Sequence, residues 1–182
     1  MELEQAIRER RSVRKYEQRE IPQAVLEEIV ELARFSPSWK NTQVPRYHVV
    51  TNGEMKQAVA DHCVLGFAFN AKTISRCPAL AVVTAVKGLS GYEPDGSFST
   101  TQEDRWEIFD TGVAVQTFCL AAHAKGVGTV ILGVFDEEKI RQYVPIPQEE
   151  RVVCLVAMGY PLEAPKAAPP RKEVAELLTV LP

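Results

Sequence analysis

Residues 104–125, DRWEIFDTGVAVQTFCLAAHAK, constrain the fold more than any other stretch of the chain. From Val113 to Ala124 every helical face is apolar or small, interrupted only by Gln116, Thr117 and His123. A helix of that kind is buried all round rather than laid on a surface, and its clean apolar run is too short to span a bilayer. Asp104 stands at an N-cap position with Glu107 at capping-box spacing, and Gly126 and Gly128 can close the other end. The segment reads as a central core helix against which the other elements pack.

Those elements are short and alternate. Leu3, Ala6 and Ile7 mark an amphipathic helix over 2–10, and Val25, Leu26, Ile29, Val30 and Ala33 mark another that Pro22 opens. Residues 47–51 read as a strand, 53–63 and 67–74 as helices. PALAVVTAV at 78–86 is a continuous apolar run, the mark of a strand buried on both faces. VGTVIL at 127–132 and RVVCLVAM at 151–158 are two more strands, separated by a short helix that Asp136 caps. Residues 87–103 form a Gly/Ser/Thr-rich loop of a length usual for a lid, a binding loop or a disordered segment. Prolines at 161, 165, 169 and 170 keep the chain extended before a last amphipathic helix over 171–178. With 182 residues the chain reads as one domain over 1–182, large enough to bury a core without staples. No GxGxxG follows a strand and no GxxxxGK[ST] occurs, so a Rossmann or P-loop site is unsupported. The architecture is α+β or a three-layer α/β sandwich.

A net charge of −3 excludes a wholesale nucleic-acid footprint. The four cysteines lie in or beside apolar runs with no CxxC pair, which reads as reduced thiols in a cytoplasmic protein. The charged start, MELEQAIRERR, lacks the apolar region of a signal peptide. Against this background Arg10-Arg11-Ser12-Val13-Arg14-Lys15-Tyr16 is the most basic spot. It is either a solvated face paired with Glu2, Glu4 and Glu9 or a phosphate site, since guanidinium forks and a hydroxyl suit a dianion. His48, His62 and His123 read as structural, and His62-Cys63 with distant Cys77 fits no zinc spacing. No metal site is expected.

Taken in order, several segments resemble the FMN-dependent nitroreductase family over nearly the whole chain. They are IRERRSVRKY at 7–16, SPSWKNTQ at 36–43, FNAKTI at 69–74 and FDTGVAVQTFCLAAHAKGVGT at 109–129. ILGVFDEEKIRQYVPIP at 131–147, VAMGYP at 156–161 and RKEVAELL at 171–178 complete the set. The resemblance implies an α+β fold, a three-layer α/β/α sandwich with a small mixed sheet around a buried central helix, and a domain-swapped C-terminal arm over 161–182. It implies FMN as cofactor and NAD(P)H as co-substrate. Arg10, Arg11 and Ser12 match phosphate and ribityl contacts, and Arg171 closes over the phosphate. Arg14 matches a basic position near the pyrimidine edge, and Asn70 a hydrogen-bonding residue at the ring's polar edge. Ile131, Leu132 and Gly133 match a strand end beside the ring, with a main-chain N–H aimed at flavin N5. Pro37, Ser38, Trp39 and Asn41 match a loop that reaches the flavin from the partner subunit. No side-chain acid, base or nucleophile is implied, because the hydride chemistry belongs to the cofactor.

Two positions depart from the family pattern. Val44-Pro45-Arg46 replaces a common Pro-Trp after Gln43, and Thr73 stands where many relatives carry lysine. An obligate homodimer with two FMN sites is expected, with a small-molecule acceptor as the other partner and no nucleic acid or membrane. Ping-pong hydride transfer to nitroaromatic, quinone or related electron-poor acceptors is the leading activity. The alternatives are an FMN sensor or reservoir with little turnover, and an anion-binding module on Arg8 to Arg19.

Overall fold

The computed structural model describes residues 1–164 and 167–181; Pro165, one of the prolines of the arm, lies outside them. Four strands form one sheet in the order β1-β2-β4-β3: β1 Pro45–Val50, β2 Ala79–Val86, β3 Gly128–Leu132 and β4 Glu150–Gly159. All three pairings are antiparallel. This corrects the expected mixed sheet, whose parallel component here is the single bridge between Ser12 and Thr129. The continuous apolar run of β2 reports burial on two faces, not strand direction.

Both faces are covered, so the fold is a three-layer sandwich. Leu80 and Val82 of β2 and Leu155 and Ala157 of β4 point into one core. There they meet α3 (Gly53–His62), α4 (Ala68–Arg76) and α6 (Glu137–Tyr143) through Val59, Ala60, Ile74 and Ile140. Ala79, Ala81 and Val83 of β2, with Val156 and Met158 of β4, point into the other, against α2 (Gln23–Ala33) and α5 (Arg105–Ala124). Each large aliphatic or aromatic side chain buried in these cores contributes about 1.5–3 kcal/mol. Ile29, Phe118 and Leu155 are among those with no exposed surface. A bulge between Val83 and Thr84 leaves Val153 unpaired, so Val152 returns to the first core.

Helix α5 departs from expectation twice. It is not buried on every side: α2 and the sheet cover Ala114, Val115, Phe118, Cys119 and Ala122, but Ile108 is 49% exposed and Phe109 60%. Gly112 and Gln116 continue that open face. Nor does the capping box form. Asp104 makes no cap bond and accepts instead from Arg151 Nη2 at 2.8 Å. Glu107, with no exposed surface, accepts from the Gly88 N–H at 2.6 Å. Its Oε2 lies 3.3 Å from Arg151 Nε, an ion pair without hydrogen-bond alignment. Tertiary partners outcompete the local cap. The C-terminal end is as expected: Gly126 at φ 74° lets its N–H reach His123 O and the Val127 N–H reach Ala122 O, at 3.0 and 2.8 Å.

Candidate functional site

Helix α1 (Leu3–Glu9) ends at Arg10, and the basic strap that follows is sewn onto the sheet. The Val13 N–H donates to Thr129 O (2.9 Å) and the Glu17 N–H to Tyr160 O (2.9 Å), while Lys15 O accepts from the Leu162 N–H (3.1 Å). Tyr16 is buried, with its hydroxyl 2.5 Å from Val13 O and 3.1 Å from Ala157 O. Burial raises its phenol pKa far above the usual range, so the hydroxyl keeps its proton as a donor. The close approach demands glycine: a Cβ on Gly128 would stand 2.6 Å from Val13 Cγ2, and one on Gly159 would stand 2.9 Å from Tyr16.

The strap and the returning C-terminal segment enclose a cavity of about 500 Å³ lined by Arg10, Arg11, Ser12, Arg14 and Arg171. Five of the residues singled out from the sequence thus meet in one place. Their local roles differ. Arg11 turns back, Nη1 donating to Arg8 O (2.6 Å) and Arg10 O (2.8 Å), which closes the end of α1 and leaves its buried Nε unpartnered. Arg14 reaches Ser12 O at 3.3 Å and Arg171 reaches Pro169 O at 3.1 Å, both from exposed positions. Lys15 pairs with Glu163 at 2.8 Å. His123, read as structural, lies beside the arginines in a smaller adjoining cavity of about 200 Å³. Burial first, then Arg10 and Arg11, lowers its imidazole pKa against the opposing charge of Glu9.

Ile131 and Leu132 end β3, an edge strand of the sheet, and Gly133 follows it. Ile131 and Gly133 are exposed and Leu132 is buried. Asn70, buried on α4, donates from Nδ2 to Val134 O at 3.1 Å and so fixes the loop that follows Gly133. Thr73 is buried and bonds back to Phe69 O at 2.8 Å, so it brings no charge to this edge.

Pro37, Ser38, Trp39 and Asn41 do not join the basic cavity. Pro37 and Ser38 line a separate cavity of about 550 Å³ with Tyr47, Arg34 and Arg46, and the two cavities share no residue. Their turn is tightly wound: Lys40, Asn41 and Gln43 have φ of 44°, 58° and 50°. Left-handed backbone at a non-glycine residue costs about 1–3 kcal/mol and persists only where the surroundings hold it. The Gln43 N–H donates to Ser38 Oγ (2.9 Å), and Trp39 packs on Trp106 at 4.7 Å between ring centroids. Sequence reading missed what else holds it, the buried Asp110 of α5 and Ser90 of the long loop. Two acidic residues three apart on an otherwise apolar helix were the available signal. The 87–103 loop itself is folded onto this turn, through Lys40–Glu93 at 2.9 Å and Thr42–Ser90 at 2.6 Å.

A mixed α+β sandwich with a basic strap along one sheet edge and an ordered loop on a buried helix defines the class of protein. The nitroreductase family model matches residues 7–160. An oxygen-insensitive NADPH nitroreductase from Helicobacter pylori is 28% identical, covering 85% of this chain and 85% of that protein. A crystal structure of a nitroreductase family protein from Clostridium novyi superposes with a TM-score of 0.77 at 29% identity, over 91% of this chain and 88% of that one. A protein from Desulfovibrio desulfuricans, solved in complex with FMN, shares the fold with a TM-score of 0.76 at 24% identity, over 98% and 95% of the two chains. The chain belongs to the nitroreductase family, and with it to the oxidoreductases.

Proposed function

We propose that the protein is a homodimeric, FMN-dependent oxidoreductase that passes hydride from NAD(P)H to an electron-poor acceptor such as a nitroaromatic or a quinone. The observation that carries this reading is the convergence of Arg10, Arg11, Ser12, Arg14 and Arg171 on one cavity in an otherwise acidic chain. The donor set suits a phosphorylated cofactor, because planar guanidinium forks match phosphate oxygens and strengthen with its charge. The cavity's roughly 500 Å³ falls within the size of cofactor pockets.

In this reading Arg10, Ser12 and Arg171 hold the phosphate, and Arg11 sets the turn that presents them. Arg14 would face the pyrimidine edge, Asn70 would serve the polar edge of the ring, and the backbone of Ile131, Leu132 and Gly133 would lie beside it. When bound, FMN supplies hydride acceptance at N5 and spreads the resulting negative charge over N1 and O2. Arg14 would offer a positive charge near where that charge develops. Asn70 donates to Val134 O and so holds the loop after Gly133, whose main-chain N–H would serve N5. The chain's residues bind, orient and polarise, and none need act as acid, base or nucleophile.

Pro37, Ser38, Trp39 and Asn41 reach the flavin of the second subunit. Two features support the dimer. The open face of α5 presents Ile108 and Phe109, and the C-terminal arm presents Val174, Leu177, Leu178, Val180 and Leu181, all largely exposed. The arm, whose helix α7 spans Val174–Leu177, docks on the partner. Buried free cysteines, with Cys63 and Cys77 thiols pushed up to about 11 by burial, fit a reducing cytoplasm. Among the described residues no helix is long and apolar enough to cross a membrane.

Donor and acceptor take turns over the same ring, so initial rates at varied NADPH and 4-nitrobenzoate should give parallel double-reciprocal lines. Lines that intersect would mean both substrates bind together and would contradict the shared site.

A further inference from the structure

The strongest unassigned feature lies where three elements meet, at Asp110. Its carboxyl is only 3% exposed, yet its Oδ2 serves two segments distant in sequence. The Trp39 N–H donates to it at 2.9 Å and the Ser90 hydroxyl at 2.6 Å. Ser90 has one hydroxyl hydrogen, and it is committed to Asp110. The 2.6 Å contact between Thr42 Oγ1 and Ser90 Oγ must therefore carry the Thr42 proton. The result is a directed chain, Thr42 to Ser90 to Asp110, closed by Trp39 on the same oxygen. It brackets Lys40 and Asn41, both left-handed. Lys40 and Glu93 close a second tie between the same two segments at the surface.

We propose that Asp110 is the positioning residue of the acceptor side, holding the 36–43 turn against the 87–103 loop so that both face the flavin of the second subunit as one surface. This rests on the reading above that the turn reaches that flavin. Asp110 touches neither cofactor nor substrate in this account and acts through Trp39, Ser90 and Thr42. The arrangement explains why a helix otherwise chosen for apolar packing carries a carboxyl here. Its charge strengthens both hydrogen bonds, and losing it leaves the half-buried Trp39 amide without its acceptor and frees the Ser90 hydroxyl to turn towards Thr42. It also makes the two loops move together: releasing the turn releases Ser90.

The chain's two tryptophans, Trp39 and Trp106, both belong to this cluster, so tryptophan emission reports on it alone. The test compares flavin-loaded wild type, Asp110→Ala, Asp110→Asn and Ser90→Ala. In Asp110→Ala the KM for 4-nitrobenzoate should rise about tenfold while kcat stays within about threefold, because misplacement of a binding surface costs chiefly binding. Acrylamide quenching of tryptophan should rise about twofold as the turn loosens. Asp110→Asn keeps an acceptor oxygen at the same place and should recover most of both. Ser90→Ala cuts only the Thr42 branch and should raise KM about threefold, near the lower range of a lost hydrogen bond. A folded Asp110→Ala protein with wild-type KM and quenching overturns the proposal. If that variant does not fold, unchanged values in Ser90→Ala overturn it instead. If wild type itself holds no flavin, the functional reading falls, and quenching alone decides whether Asp110 positions the turn.

Discussion

Arg10→Ala should weaken FMN binding by roughly 1.5–3 kcal/mol, the worth of hydrogen bonds to a charged group. At 1.4 kcal/mol per tenfold, that is a rise in Kd of about 10- to 150-fold. Arg171→Ala should cost a similar amount from the other side of the cavity, since the strap and the C-terminal segment both line it. Both arginines serve one dianion, so the double variant should lose less than the sum of the two. Arg11→Ala provides the contrast. Its Nη1 is spent on Arg8 O and Arg10 O, so it should lower thermal stability along with affinity. Lys15, already paired with Glu163 at the surface, should matter least when replaced. Titration of apoprotein with FMN, followed by the quenching of flavin fluorescence, gives each Kd. A wild-type Kd in Arg10→Ala would remove the phosphate assignment from the strap.

Phe109→Asp should dissociate the dimer and release flavin with it. The side chain stands 60% exposed on the open face of α5 and meets Trp106 edge-on at 5.4 Å. An aromatic so placed is the usual energetic anchor of an interface. Replacing it puts an unpaired carboxylate on the face proposed to pack against the second subunit, a cost of several kcal/mol. The dimer dissociation constant should rise by about 100-fold or more, given about 1.4 kcal/mol per tenfold. Flavin content should fall in step if, as proposed, the 36–43 turn of each subunit completes the other's site. Light scattering coupled to size exclusion, with flavin absorbance read on the same peaks, measures both. A Phe109→Asp protein that remains a flavin-loaded dimer would place the interface elsewhere.

What the sequence disclosed and what it hid follow a physical division. Elements written as continuous apolar runs were legible: β2 came from PALAVVTAV and α5 from residues 104–125, within a residue or two of their ends. The basic strap was legible as a composition anomaly, and its residues line one cavity in the structure. Strand direction was not legible, since an apolar run records how many faces are covered and not which way the neighbours run. The open face of α5 was hidden for a related reason. Ile108 and Phe109 are as apolar as Phe118, and nothing in their residue types says which of them the fold leaves exposed. The capping box failed because Arg151 and Gly88 compete for Asp104 and Glu107 from 47 and 19 residues away. Asp110 lies 71 residues from Trp39, and no local pattern records a bond of that separation.

The most direct test of the account is the absorbance spectrum of the freshly purified protein, before and after anaerobic addition of NADPH. The account predicts a yellow protein with flavin bands, released on denaturation as FMN, that bleach when the nicotinamide is added and return when 4-nitrobenzoate follows. A colourless protein that does not rebind added FMN would contradict the central claim, and bands that persist under NADPH would deny it the role of an oxidoreductase.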